Sequence, residues 1–112
     1  NFNLLTGDDA TTLAFMLYGG HGAISVTSNI APKLCSSFMN NCMQNNYEEA
    51  SRINDILMPL HSALFIESSP GPVKYAASKL NLCEDEVRLP LINISEETKA
   101  IVDKALKHAS LL

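Results

Sequence analysis

No apolar run in these 112 residues approaches the roughly 20 that a membrane-spanning helix requires. The opening "NFNLLTGDD" has neither the basic start nor the long apolar stretch of a signal peptide. Basic residues are few, eight Lys and Arg against twelve Asp and Glu, and they are scattered. The resulting net charge of −4 leaves no basic face for nucleic acid. Cysteine is scarce and odd in number: Cys35, Cys42 and Cys83, with no C-x-x-C pair. Neither a disulfide framework nor a zinc site is indicated. Cys35 and Cys42 lie seven apart, the spacing of one buried helical face, and the cysteines are expected to be plain core thiols. Internal repeats and low-complexity segments are also absent. These absences predict a soluble, cytoplasmic protein that engages neither nucleic acid nor membrane.

What is present is ordinary globular composition, 46% hydrophobic and 18% charged, in a chain long enough for one modest core. Residues 2–6, "FNLLT", read as a short strand ending at Gly7. Asp8 or Asp9 can then cap a helix, because a short carboxylate accepts from the free N–H groups of a first turn. Leu13, Met16 and Leu17 supply one apolar stripe, and "GGHG" stops the helix. The run "AISV", bounded by turn signals, reads as a strand buried on both faces. Ser28 or Asn29 caps the next helix, with Pro32 in its first turn, where a missing N–H costs little. Leu34, Cys35, Phe38, Met39 and Cys42 form its buried face, and the polar "NNCMQNN" marks a boundary near residues 44–46.

Beyond that boundary the pattern is helical. Ala50, Ile53, Leu57, Leu60 and Leu64 recur at spacings of three and four, with Pro59 inside the run. "SSPGP" breaks the chain, and Val73, Ala76, Ala77 and Leu80 line a short helix. "RLPLINI" is extended, since Pro90 disfavours helix before it. Ser95 caps a last helix, with Glu96 and Glu97 at its start and Lys104, Lys107 and His108 near its end. The order is β-α-β-α followed by three helices. Two parallel strands alone make a poor sheet, with edges and a face uncovered.

"LLTGDDATTLAFMLYGGHGAISVTSNIAP", "LMPLHSALFIESSPGPVKYA", "RLPL" and the terminal "KALKHASLL" closely resemble the dihydrodipicolinate synthase family, from residue 2 to residue 112. Those enzymes belong to the class I, Schiff-base-forming aldolases, built on a (β/α)8 barrel. A complete barrel takes about 250 residues. The resemblance therefore implies an α/β fragment: the last two β/α units of a TIM barrel in residues 1–45, then a C-terminal helical domain in 46–112. It implies a parent lyase that condenses pyruvate with aspartate semialdehyde through a lysine Schiff base, on the route to lysine and diaminopimelate. No metal or organic cofactor is implied, and the full enzyme is a homotetramer. The Schiff-base lysine and the tyrosine relay come from earlier strands and match no position here, so the fragment alone is expected to be inactive. A sugar-acid lyase parent shares the barrel but fits "GGHGAISVTSNIAP" less well. A non-enzymatic truncated paralogue, kept as a helical oligomerisation module, is the other alternative.

The resemblance also assigns positions. Gly7, Asp8 and Asp9 fall at the C-terminal end of a barrel strand, the catalytic face of this fold, and are expected to bind substrate. One Asp could equally be a helix cap. Ile24 matches a position whose backbone carbonyl faces the pyruvate pocket, its side chain being core. Ala14, Leu17 and Tyr18 match a face between dimers of the tetramer. Lys74, in "PVKYA", is rejected as a Schiff-base lysine, because such an amine needs a pKa lowered by burial or cationic neighbours. Gly19, Gly20 and Gly22 precede a strand instead of opening a helix, so they are turn glycines and not an anion cradle. His21 and His61 lack a second ligand at metal spacing, and His108 is a helix-end charge. Ser69 and Gly71, in "SPGPVK", depart from the family's usual "NPIPVK" and loosen that turn.

Overall fold

The computed structural model describes residues 2–112. Two strands and five helices follow in the order β1 (Leu5–Thr6), α1 (Thr12–Leu17), β2 (Gly22–Ala23), α2 (Pro32–Met43), α3 (Tyr47–Ala63), α4 (Gly71–Lys79) and α5 (Glu96–His108). The chain divides into two compact units between Met58 and Pro59, inside α3. The loop at 44–46 separates α2 from α3.

In the first unit β1 and β2 pair in parallel, Leu5 opposite Gly22 and Thr6 opposite Ala23. Flanking bonds extend the ladder: His21 N–H donates to the Leu4 carbonyl and Ile24 N–H to the Thr6 carbonyl, each at 2.9 Å. Both strands are shorter than the sequence pattern predicts. Strand geometry ends where pairing ends, and among the described residues each strand has one neighbour only. Ile24 is consequently not core, as expected, but 72% exposed. A short apolar run reads as doubly buried only if both sheet faces are covered, and here no further strand lies beside it.

The caps differ too. Thr11 is the N-cap of α1 and makes no side-chain cap bond; Asp8 instead binds Thr11 N–H in the turn before the helix. Ser28 and Asn29 lie in a 3-10 turn over Thr27–Asn29, and Ala31 precedes α2, so neither caps it. Pro32 does occupy the first turn of α2. Phe38 and Cys42 are the buried residues of that helix. Cys35 is only half-buried and Cys83 is exposed, so one of the three thiols is plain core.

Four helices end in the same way. Gly19, Asn45, Asn81 and Ser110 have φ of 92°, 59°, 57° and 55°. After α1, Gly19 N–H bonds the Met16 carbonyl and Gly20 N–H reaches back to Phe15; the pairs Asn45–Cys42 with Asn46–Asn41, Asn81–Ser78 with Leu82–Ala77, and Ser110–Lys107 with Leu111–Leu106 repeat the pattern. This is the Schellman arrangement, which satisfies the free carbonyls of a helix end. Gly20 has a separate reason to be glycine: a Cβ there would collide with the ring and the backbone carbonyl of Phe15.

The buried positions are those the spacing predicts: Ala50, Ile53 and Leu57 are buried in the first unit, and Leu60 and, just past the end of α3, Leu64 in the second. The core of the second unit also holds Ala76, Val102 and Leu106. Its helices α4 and α5 are joined by Tyr75 O–H donating to Asp103 Oδ1 at 3.1 Å, with Lys79 Nζ 3.7 Å from Asp103 Oδ2. Ser95 caps α5 as expected, its Oγ accepting from Thr98 N–H at 3.2 Å. Glu67 anchors that cap, accepting from Ser95 N–H at 3.0 Å and Ser95 O–H at 2.9 Å. Hydrogen bonds from Thr98 and Ser95 hold the Glu67 carboxyl below the usual carboxylate range.

Candidate functional site

Parallel pairing brings the C-terminal ends of both strands to one edge, placing Gly7, Asp8 and Asp9 beside Ile24 and the turn that follows it. Asp8 is exposed. Its N–H donates to Thr6 Oγ1 at 3.1 Å, its Oδ2 accepts from Thr11 N–H at 3.0 Å and from the Thr11 hydroxyl at 2.5 Å, and its carbonyl accepts from the Thr12 hydroxyl at 2.8 Å. Gly7 is exposed, and a Cβ there would meet nothing within 4 Å.

Asp9 is different in kind. It is 5% exposed, and its Oδ2 accepts from Val26 N–H at 2.9 Å, Thr27 N–H at 3.1 Å and the Thr27 hydroxyl at 3.3 Å. One carboxylate thus clamps the turn after β2 to the turn after β1. A buried carboxylate survives only when its charge is met by donors of this sort. Ser25 reinforces the same turn, its Oγ accepting from Ser28 N–H and its carbonyl from Ser28 O–H, both at 2.9 Å. Of the four residues expected at this edge, Gly7, Asp8 and Ile24 face outward and Asp9 lies behind them.

Thr27, fully buried, is the partner of Asp9 that sequence reading missed. Its only local signal is the Ser/Thr/Asn cluster "SVTSN", which marks a turn but not a partner 18 residues back. Behind the edge, burial and the Asp9 charge push the Cys35 thiol up to about 11, against a lowering hydrogen bond with Ser25. A thiol raised this far is little ionised at pH 8, which makes it a poor nucleophile. Iodoacetamide at pH 8 is expected to modify exposed Cys83 first and to leave Cys35 intact on that timescale, as read by peptide mapping; equal rates would contradict this environment.

Elsewhere, Lys74 sits in the first turn of α4, its N–H bonded to the Pro70 carbonyl at 2.9 Å. Its place is in the second unit, whereas Asp9 and Ile24 are in the first. Among the described residues no three His, Cys, Asp or Glu side chains gather into a metal-holding group. His21 Nδ1 accepts from Leu4 N–H at 3.0 Å, a backbone tie at the opposite ends of the strands. Ala14, Leu17 and Tyr18 stand at i, i+3 and i+4 of α1 and its cap, and all three are exposed, Tyr18 at 93%. No helix among the described residues is long and apolar enough to cross a membrane.

A sequence model of the dihydrodipicolinate synthetase family matches residues 1–109. The chain belongs to this family. A 4-hydroxy-tetrahydrodipicolinate synthase of Afipia carboxidovorans is 50% identical over all 112 residues. The chain spans 38% of that relative's length. Among solved structures, the dihydrodipicolinate synthase of Thermotoga maritima superposes with a TM-score of 0.96 at 38% identity, covering 99% of this chain and 38% of that one. The chloride-inhibited enzyme of Acinetobacter baumannii, complexed with pyruvate, gives 0.94 at 37% identity, again over 99% and 38%. The structural neighbours in this family are TIM-barrel enzymes, and the mostly helical chain superposes on them along almost its whole length.

Proposed function

We propose that this chain is the C-terminal portion of a 4-hydroxy-tetrahydrodipicolinate synthase. On this reading residues 1–45 carry the seventh and eighth β/α units of the barrel and 46–112 the helical domain. The observation that carries it is the 50% identity to such a synthase over every residue of the chain. The parent enzyme is a cytoplasmic homotetramer that joins pyruvate to aspartate semialdehyde. A lysine amine condenses with the pyruvate carbonyl and expels water, the resulting Schiff base loses a proton to become an enamine, and the enamine carbon attacks the aldehyde. That lysine and its tyrosine relay belong to barrel units outside this chain.

Within this chain the roles are supporting ones. Ile24 presents its backbone carbonyl to the pyruvate pocket, and Gly7 leaves open space for substrate at the strand end. Asp8 lines the mouth, and Asp9 fixes the Ile24 turn through Val26 and Thr27. Exposed Ala14, Leu17 and Tyr18 serve contact between dimers, as an apolar surface stripe would. The same stripe would serve a non-enzymatic oligomerisation module, and a sugar-acid lyase parent would use the same chemistry.

The test is intact mass after treatment with pyruvate and borohydride, which fixes a Schiff base as a stable amine. The expected mass is that of the unmodified 112 residues. A pyruvate adduct would overturn the assignment of an inert portion and make Lys74 or another lysine here the nucleophile.

A further inference from the structure

The second unit carries a cleft of about 390 Å³ between the last turns of α3 and the C-terminal half of α5. Small-molecule sites occupy roughly 300–1,000 Å³, so this one suits a compact ligand. Its floor is made of two alanines, Ala63 and Ala105, both buried, and its sides of Ile66 and Ile101, both roughly half exposed. Pro59 and Ser62 also line it, Lys104 and His108 stand one helical turn apart at one side, and no acidic residue contributes. Among the described residues neither Lys104 nor His108 has an ion-pair partner, while Lys79 and Lys99 each have one.

The C-terminal end of α5 disfavours an anion, and the Lys104 ammonium with a His108 ring N–H are the groups on the cleft that offset this. The last carbonyls of α5 already accept from Ala109, Ser110 and Leu111 N–H groups. Apolar walls over small side chains, with cationic and N–H donors at one side, complement a molecule that has an apolar body and an anionic head.

We propose that this cleft binds a medium-chain alkyl carboxylate, its chain over Ala63 and Ala105 between the isoleucines and its carboxylate on Lys104 and His108. This site lies wholly within the second unit, whereas the strand edge belongs to the first.

The test is a titration of the isotope-labelled 112-residue chain with sodium octanoate, followed by amide NMR shifts. Saturable shifts confined to Ala63, Ile66, Ile101, Lys104 and Ala105 are expected. Lys104→Glu should weaken binding about tenfold, since it turns an exposed attraction into a repulsion of similar size. Lys107→Glu makes the same change in net charge on an exposed residue outside the cleft and should leave the affinity unchanged. Octanol should bind about tenfold more weakly than octanoate. Equal weakening by both charge reversals would overturn the proposal in favour of general charge attraction. Equal affinity for octanol would reduce the cleft to an apolar surface. Shifts of the same amides with protein concentration alone would assign the cleft to a second copy of the chain.

Discussion

Asp9→Ala is expected to destabilise the chain by about 3 kcal/mol, read as a lowered urea midpoint at unchanged slope. The size follows from what the substitution strands. Three donors converge on Asp9 Oδ2, two of them from fully buried Thr27. An unsatisfied buried donor costs about 1–3 kcal/mol, and Val26, only half-buried, recovers part of its loss from water. Asp9→Asn keeps one acceptor oxygen and should lose about half as much. A second readout separates the carboxylate from mere packing. Its negative charge helps hold the Cys35 thiol near 11, so either substitution should lower that value, the sign expected when a like charge leaves a forming thiolate. Burial is the larger cause of the upward shift and remains, so the thiol should stay above its ordinary value of 9.0. A midpoint unmoved by Asp9→Ala, or a Cys35 titration unmoved by Asp9→Asn, would remove Asp9 from the role assigned to it.

The clamp also marks where sequence reading stops. Ala50, Ile53, Leu57, Leu60 and Leu64 announce one helix face because their burial repeats every three or four residues within a single element. Ser95 announces a cap because its partner, Thr98, is three residues away. Asp9 and Thr27 are 18 apart, and their pairing exists only once two parallel strands have brought their ends together. From the sequence, Asp9 was one of two equal aspartates; in the structure it is buried and Asp8 exposed. Ile24 fails for a related reason, since the number of faces covered is a property of the sheet and not of the run "AISV". Of the left-handed residues, only Asn45 was legible, as part of a polar boundary, and Asn81 and Ser110 gave no signal, because their conformation depends on backbone bonds closing over the preceding turn. The family resemblance, by contrast, was carried by the order and spacing of whole segments, and the match over residues 1–109 bears it out.

Leu106→Ala is expected to cost about 3 kcal/mol, within the 2–5 kcal/mol usual for removing a buried leucine side chain. Leu106 is fully buried, in the same unit as Leu60, Leu64 and Val102. Truncation removes apolar surface from the core and also leaves a cavity that packed neighbours fill only in part. For a chain whose total stability is of order 5–15 kcal/mol, a loss of this size shifts the unfolding midpoint visibly. Two comparisons decide what the loss means. Leu82→Ala, on a side chain 62% exposed, should fall within about 0.5 kcal/mol of the parent. Leu106→Met keeps volume and hydrophobicity while changing shape, and should cost less than about 1.5 kcal/mol. A methionine as costly as alanine would mean that shape, not buried area, governs this position. An alanine as mild as that at Leu82 would mean that Leu106 is not held in a packed core at all. The expected order, alanine at 106 well below methionine at 106 and alanine at 82 near the parent, is the one that cavity formation requires.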